Sequence, residues 1–515
     1  MMARTSVVDA IYRPTGVAHY GGNPLIEALP PIMDLHTATT VLSHYVSIES
    51  CELEAPTQVR SHCVGRLYSL VQASPLYIAM QRSFDELIRG GYVGRNPLDT
   101  TVQRHLYSIR EIETLTPPSW LKATSGVLSL TGPSGIGKST MIERILACYP
   151  RVIQHKQYAG EKFVHPQVVW LKISCPHDGS LTQLCLAFFV ALDSALGTSY
   201  AKVYTTGRHG VPGLLAAMRQ LCATYSVGVL VIDELQHLSL AKVGGKRKMM
   251  NFFVNLVNDV GVPLMLIGTY GATSLFQEAM RDARRASGDG MKDFCRPVQT
   301  DRWWDLLVET AWDRQWTRER IPLTPETKLL LYDLSQGITD ILIKLLVLAQ
   351  RRALRGPRER ITEADFRYVA DHDLVLLRPA VAALRKGSAR ALEQYEDLLP
   401  TNEEIARHLA ALDQACANTA EEVMSALRTR AVSQRVRVDG SQDEPADPNS
   451  QQSLDEELAA SIRQAGSINS LLSVPVGDDV HAGLRACGLV VESAVEQSQG
   501  IDVDCPAARS KKPPR

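Results

Sequence analysis

The sequence predicts an α/β fold: a parallel sheet flanked by helices, then an all-helical region, then an extension without a packed core. Three observations carry this. Short apolar runs at 126–131 (GVLSLT), 168–173 (VVWLKI), 229–232 (VLVI) and 262–267 (VPLMLI) alternate with segments of helical spacing. That alternation marks parallel strands buried on both faces. After about residue 300 the strand signal vanishes, and Leu329, Leu330, Leu334, Ile338, Ile341, Leu342 and Leu345 recur at three- and four-residue intervals, the helical period. Residues 439–453 (DGSQDEPADPNSQQS) hold no large apolar side chain, too little apolar surface to offset the entropy of folding.

Composition bounds the answer. A chain of 515 residues, with 45% hydrophobic and 22% charged, is a soluble globular type of about three domains. Lys plus Arg number 55 against 56 for Asp plus Glu, so no global field attracts a polyanion, and any such site must be a local patch. The ten cysteines form no CxxC pair, and the nearest two, Cys175 and Cys185, lie ten positions apart. Zinc-ribbon and dithiol redox readings fail on that spacing, and a reducing compartment fits it. The first twenty residues lack an apolar stretch of signal-peptide length. The greasiest window, 341–349, holds Lys344 and is too short to span a bilayer. A cytoplasmic, bacterial protein without membrane partners is expected.

Taken in order, residues 1–60 have short apolar runs broken by Arg13-Pro14, Gly21-Gly22 and Leu29-Pro30-Pro31, which predicts a small appended N-terminal domain rather than one long helix. Residues 61–300 form the α/β core, preceded within that range by helix and a turn-rich stretch, 89–97 (RGGYVGRNP). Residues 301–400 are a helical lid, in which Thr362 caps a helix. Residues 401–436 continue as helix, with Ile405, Leu409, Leu412, Cys416, Val423 and Leu427 on one face. A linker at 437–454 leads to a partly disordered C-terminal tail at 455–515, whose last seven residues hold four basic groups and two prolines. No repeat of solenoid period occurs.

The strongest motif is Gly132-Pro133-Ser134-Gly135-Ile136-Gly137-Lys138-Ser139-Thr140. It fits GxxxxGK[ST] between an apolar strand and an amphipathic helix, the context a phosphate-binding P-loop requires. Successive backbone N–H groups cradle the anion and the following helix adds the positive end of its dipole. Lys138 reaches the β- and γ-phosphates of ATP, and Ser139 gives a hydroxyl to Mg²⁺. Ninety-five positions beyond Lys138, the run at 229–232 ends in Asp233 and Glu234. Asp233 holds the magnesium and Glu234 polarises the attacking water. Another strand-like run lies between the two motifs, so their strands need not be neighbours, which favours the AAA+ and RecA-like branch. Thr269 closes the next strand as either a γ-phosphate sensor or an ordinary turn residue.

Further sites are open at this stage. Residues 275–287 (LFQEAMRDARRAS) read as a helix ending in Arg284 and Arg285. One of these crosses to a neighbour's γ-phosphate, or both serve the helix dipole. Lys242, Lys246, Arg247 and Lys248 put four cations on a flexible segment, as a contact to double-stranded DNA or a solvated face. The stretch 92–96 either holds the base or ribose, or is a structural turn.

Segments outside the P-loop resemble a known family. Residues 12–17 (YRPTGV), 23–30 (NPLIEALP), 88–97 (IRGGYVGRNP), 233–238 (DELQHL) and Ser335-Gln336-Gly337 before Asp340-Ile341 are similar to TnsC, the AAA+ regulator of transposons of the Tn-seven class, related to TniB. The likeness spans about residues 8 to 400. It implies an AAA+ P-loop NTPase that binds ATP and forms a ring or helical filament on target DNA. It also implies a link from a target-selection protein (TnsD- or TniQ-like) to a transposase (TnsA/TnsB-like), with slow, assembly-dependent ATP hydrolysis controlling disassembly. By the same analogy the N-terminal region meets the selector and the C-terminal tail the transposase. One departure is that Gly337 precedes Ile338-Thr339-Asp340, with no sensor-two arginine. Lys344 either substitutes or snorkels at the surface. The rival readings are a replication-initiator or helicase-loader ATPase, and an ATP-binding scaffold without turnover.

Overall fold

The computed structural model describes residues 7–108, 126–176, 178–207, 209–240, 253, 257, 260–273, 291–374 and 377–386, with 106–108, 238–240 and 386 given by backbone alone. The expectations at Lys242, Lys246, Arg247, Lys248, Arg284 and Arg285, and those beyond residue 386, lie outside the described residues.

The strands are β1 (Val7–Asp9), β2 (Val127–Thr131), β3 (Val152–Tyr158), β4 (Glu161–Val168), β5 (Trp170–Ser174), β6 (Val229–Asp233), β7 (Leu264–Ile267) and β8 (Met291–Asp293). Five of them form one parallel sheet in the order β5-β6-β7-β2-β8. Alternate residues divide between two apolar layers, because side chains on a strand point to opposite faces. Leu128, Leu130, Val229, Val231, Met265 and Ile267 face helices Pro75–Val93 and Lys138–Ala147. Val127, Leu230, Ile232, Leu264 and Leu266 face helices Leu181–Leu196 and Val211–Thr224. The expected sheet with both faces covered is therefore present. The P-loop strand β2 and the acidic strand β6 are separated by β7. The spacer is a strand from further along the chain, not the run at 168–173.

That run is not one strand. Val168 ends β4, which folds antiparallel onto β3 about Ala159 (φ 49°) and Gly160 (φ 87°), both in the left-handed region that two-residue hairpin turns use. Trp170 then starts β5. β1 adds to β3 in parallel, giving a second, three-stranded sheet. Buried at its centre is His155, set between the Tyr12 hydroxyl at 2.7 Å from Nδ1 and the Gln167 Oε1 that accepts from Nε2 at 2.9 Å.

The stretch at 89–97 also departs from expectation. Helix Pro75–Val93 runs through Gly90 and Gly91. A Cβ on Gly91 would lie 2.3 Å from Pro263 Cγ, so the bare backbone permits a close approach that offsets glycine's low helix propensity. Tyr92 is buried and its hydroxyl donates to Ser226 O at 2.9 Å. Buried Arg95 donates to Gly91, Val227 and Gly228 carbonyls. These side chains brace the start of β6, which makes the stretch structural and takes Tyr92 and Arg95 away from base or ribose.

Residues 7–60 share one apolar layer with the core and the lid: Leu25, Ile26 and Leu42 belong to the cluster that holds Phe84, Ile145, Trp304 and Leu342. Arg60, wholly buried, donates to Ala55 O and Trp316 O and pairs with Glu359 at 2.7 Å. The lid contains helices Arg302–Trp312, Pro325–Ser335, Thr339–Ala353, Glu363–Tyr368 and Arg378–Lys386. The periodic leucines and isoleucines span two of these, with the break at Gln336 and Gly337. Thr362 caps its helix as expected, in a reciprocal box with Asp365. No helix among the described residues is long and apolar enough to cross a membrane.

Candidate nucleotide site

Parallel strands bring their C-terminal ends to one edge, where ligands of such sheets bind. Thr131, Asp233 and Ile267 end β2, β6 and β7 there. The loop after β2 turns into helix Lys138–Ala147. Gly135 sits at φ 79°, and a Cβ there would be 3.1 Å from Ile338 Cγ2 and 3.3 Å from Asp340 Cβ. Its carbonyl accepts the Asp340 N–H at 3.0 Å. The phosphate loop is thus joined directly to the first turn of the lid helix Thr339–Ala353. Lys138 folds back over the loop, its Nζ donating to Gly132 O at 2.7 Å and Pro133 O at 2.8 Å.

Ser139 and Asp233 converge across the intervening strand. The Ser139 hydroxyl donates to Asp233 Oδ2 at 3.2 Å, and Asp233 is only 6% exposed. A hydroxyl and a carboxylate this close are the hard oxygen pair that Mg²⁺ takes from protein, its remaining positions going to water and phosphate, so these residues fit the expected ion. Lys172 Nζ lies 3.3 Å from the same Asp233 oxygen and pairs with Glu143 at 3.0 Å.

Glu234 adopts φ 58°, a conformation that costs a non-glycine residue roughly 1–3 kcal/mol and concentrates at functional sites. Its N–H donates to Asp233 Oδ1 at 2.9 Å. Its side chain is 49% exposed, with Oε2 2.8 Å from His237 Nε2. One residue before that histidine, Gln236 Oε1 accepts the backbone N–H of Thr269 at 3.2 Å. Thr269 is 4% exposed. The turn after β6 therefore holds both the catalytic-base candidate and the end of β7.

Behind the P-loop, Asp293 at the end of β8 gathers three donors. Tyr270 donates at 2.8 Å and Thr131 at 3.4 Å to Oδ1, and Cys295 donates at 3.0 Å to Oδ2. Burial, then the Asp293 charge, push the Tyr270 phenol and the Cys295 thiol well above their ordinary values, so both stay protonated donors. Opposite, Lys344 pairs with Asp340, so it is committed within its own helix.

A family model described as an AAA domain matches residues 122–276. The chain contains an AAA-type ATPase domain. Solved structures similar to it include Cdc6p from Pyrobaculum aerophilum, 12% identical with a TM-score of 0.34, covering 64% of this chain and 98% of that one. A Walker-type ATPase of Pyrococcus abyssi is 13% identical, TM-score 0.34, covering 59% and 91%. PCH-2 of C. elegans is 14% identical, TM-score 0.27, covering 56% and 72%. No curated protein sequence matches the chain.

Within this AAA domain Ser139 meets Asp233 directly, Glu234 follows on the same turn, Thr269 is tied to that turn through Gln236, and Lys138 bonds to the phosphate loop's own carbonyls. Of the other loop residues, Gly132, Pro133 and Ile136 are buried, Gly137 is half-buried, and Ser134 and Thr140 are exposed. Sequence reasoning missed Lys172, Gln236, His237 and Asp293. Lys172 carried a signal, as the single charge in the apolar run 168–173. Gln236 and His237 were legible only as neighbours of the acidic pair.

Proposed function

We propose that this protein is an ATPase whose nucleotide cycle governs its assembly on DNA, acting as a TnsC-like regulator of transposition in the bacterial cytoplasm. The convergence of Ser139 and Asp233 at 3.2 Å, with Glu234 next in sequence, supports the ATPase reading. Loop N–H groups hold the phosphates, and Lys138 leaves the Gly132 and Pro133 carbonyls for the β- and γ-oxygens. Mg²⁺ held through Ser139 and Asp233 neutralises phosphate charge when bound. Glu234 accepts a proton from the attacking water as its oxygen bonds to the γ-phosphorus and the bond to ADP breaks. Thr269 contacts the γ-phosphate or that water. Arg284 or Arg285 reaches the phosphate of the next subunit, which makes turnover depend on assembly.

The flanking segments at 12–17, 23–30, 88–97 and 233–238 support the transposition role, with Lys242, Lys246, Arg247 and Lys248 as DNA contacts. A target-selection protein and a transposase are the proposed partners. Phosphate release tests the catalytic half: Glu234→Gln should lose hydrolysis while retaining ATP binding, and an unchanged rate would overturn it. Electron microscopy tests the assembly half. Ordered rings or filaments should form only with duplex DNA and a non-hydrolysable ATP analogue together, and dispersed monomers under those conditions would end the polymer reading.

A further inference from the structure

We propose that an arginine-lined cleft at the far end of the lid helix Thr339–Ala353 binds the phosphate backbone of DNA. Residues 351–360 hold five arginines and one glutamate in a chain whose net charge is −1, so the cations are concentrated rather than average. Four of the five border a cleft of about 430 Å³ lined by Arg352, Arg355, Arg358, Glu359, Arg360 and Asp365.

The carboxylates of the cleft are already engaged. Glu359 pairs with buried Arg60, and Asp365 with Arg352 at 3.1 Å while capping at Thr362. Arg360 pairs with Glu319 at 2.7 Å. Arg355 and Arg358 are exposed and have no ion pair among the described residues. They flank Gly356-Pro357 in a turn closed by the Arg355 N–H to Arg352 O and the Gly356 N–H to Ala353 O. Arg352 is held in place by stacking, its guanidinium 3.5 Å from the centre of the Tyr368 ring. His372 stacks on the same ring at 4.1 Å and 13°. A guanidinium fixed beforehand loses less entropy on meeting an anion.

The only apolar residues lining the cleft are Ala353 and Pro357. A protein partner would need a larger anchor to desolvate, whereas a phosphodiester chain needs only spaced cations. This inference rests on the reading that the protein acts on DNA, and is independent of how ATP is cleaved.

The test is fluorescence anisotropy with a fluorescein-labelled duplex of arbitrary sequence, titrated over a series of KCl concentrations with and without a non-hydrolysable ATP analogue. Binding of a fluorescent ATP analogue is measured on the same preparations. The pair Arg355→Ala and Arg358→Ala should lower duplex affinity about tenfold and flatten the log–log salt slope by about 2, roughly 0.9 for each phosphate left without its arginine. The pair Arg355→Lys and Arg358→Lys should keep most of the slope. Both sites are exposed, so folding is spared. A wild-type slope and affinity in the alanine pair would overturn the proposal. So would loss of binding to a labelled polyglutamate chain with duplex binding intact, which identifies an acidic protein partner. Absence of any duplex binding by wild type with ATP binding intact refutes the DNA reading itself. A defect confined to Lys242→Ala, Lys246→Ala and Arg247→Ala leaves that reading standing and refutes the cleft.

Discussion

Acid should unfold this protein through one imidazole. His155 is fully buried, and burial pulls its pKa from 6.5 down to about 4. Its neutral ring accepts from Tyr12 on Nδ1 and donates to Gln167 from Nε2, so a second ring proton displaces the Tyr12 donor bond and buries a charge. The native state therefore binds fewer protons than the unfolded chain between the two values. Stability is complete above pH 6.5, falls as pH drops through 6.5 toward 4, and levels below that. A displacement of 2.5 pK units at 1.36 kcal/mol each amounts to about 3 kcal/mol, of which about 2 kcal/mol is lost by pH 5. His165, pulled down to about 4 by burial and then by the nearby His155 charge, acts in the same window. Urea unfolding followed by tryptophan fluorescence at pH 7 and pH 5, on wild type and His155→Gln, measures the effect of this ring together with its coupling to His165. Wild type should lose about 2 kcal/mol more than the variant between the two pH values. Equal losses would show that the buried ring is not the acid-sensitive group.

Three further outcomes are expected. His237→Ala frees the Glu234 carboxylate, so kcat should fall roughly tenfold with KM for ATP unchanged, since misplacing a reacting group by about 1 Å costs up to about a hundredfold; steady-state kinetics with both parameters unchanged would remove His237 from any positioning role. Gly135→Ala forces a side chain into φ 79° and against Ile338 and Asp340, which should cost about 1–3 kcal/mol and lower the melting temperature, and an unchanged thermal midpoint would refute the contact. Tyr270→Phe removes a donor from buried Asp293 and should destabilise by about 1–3 kcal/mol, while Cys295→Ser, which keeps a donor, should cost less in the same calorimetric comparison.

The phosphate loop and the Asp233-Glu234 pair were legible because strand, glycine-rich turn and helix signals coincide within a few residues, and local chemistry fixes them. The hairpin of β3 and β4 was not, since Gln154, His155, Lys156 and Gln157 carry little apolar alternation. Of these only His155 is buried, held by Tyr12 and Gln167 from other strands and loops. Gly90-Gly91 reads as a turn from propensity, and packing on Pro263 overrides it. The roles of Gln236 and His237 depend on Thr269 and Glu234 meeting them in space, which no spacing rule predicts. The arginines of 351–360 stand out in composition, but the cleft exists only once Asp365 and Glu359 fold back beside them.

The helix Thr339–Ala353 has a mechanical meaning. Its 15 residues make a rod of about 22 Å at 1.5 Å per residue, gripped at one tip by the Gly135 carbonyl and bearing guanidinium groups at the other. A rod does not bend under small forces as a loop does, so a shift beneath the first turn travels to the last. Under the proposed function, linkage runs both ways: any factor by which a bound triphosphate alters loading of the distal tip is the factor by which that load alters triphosphate affinity.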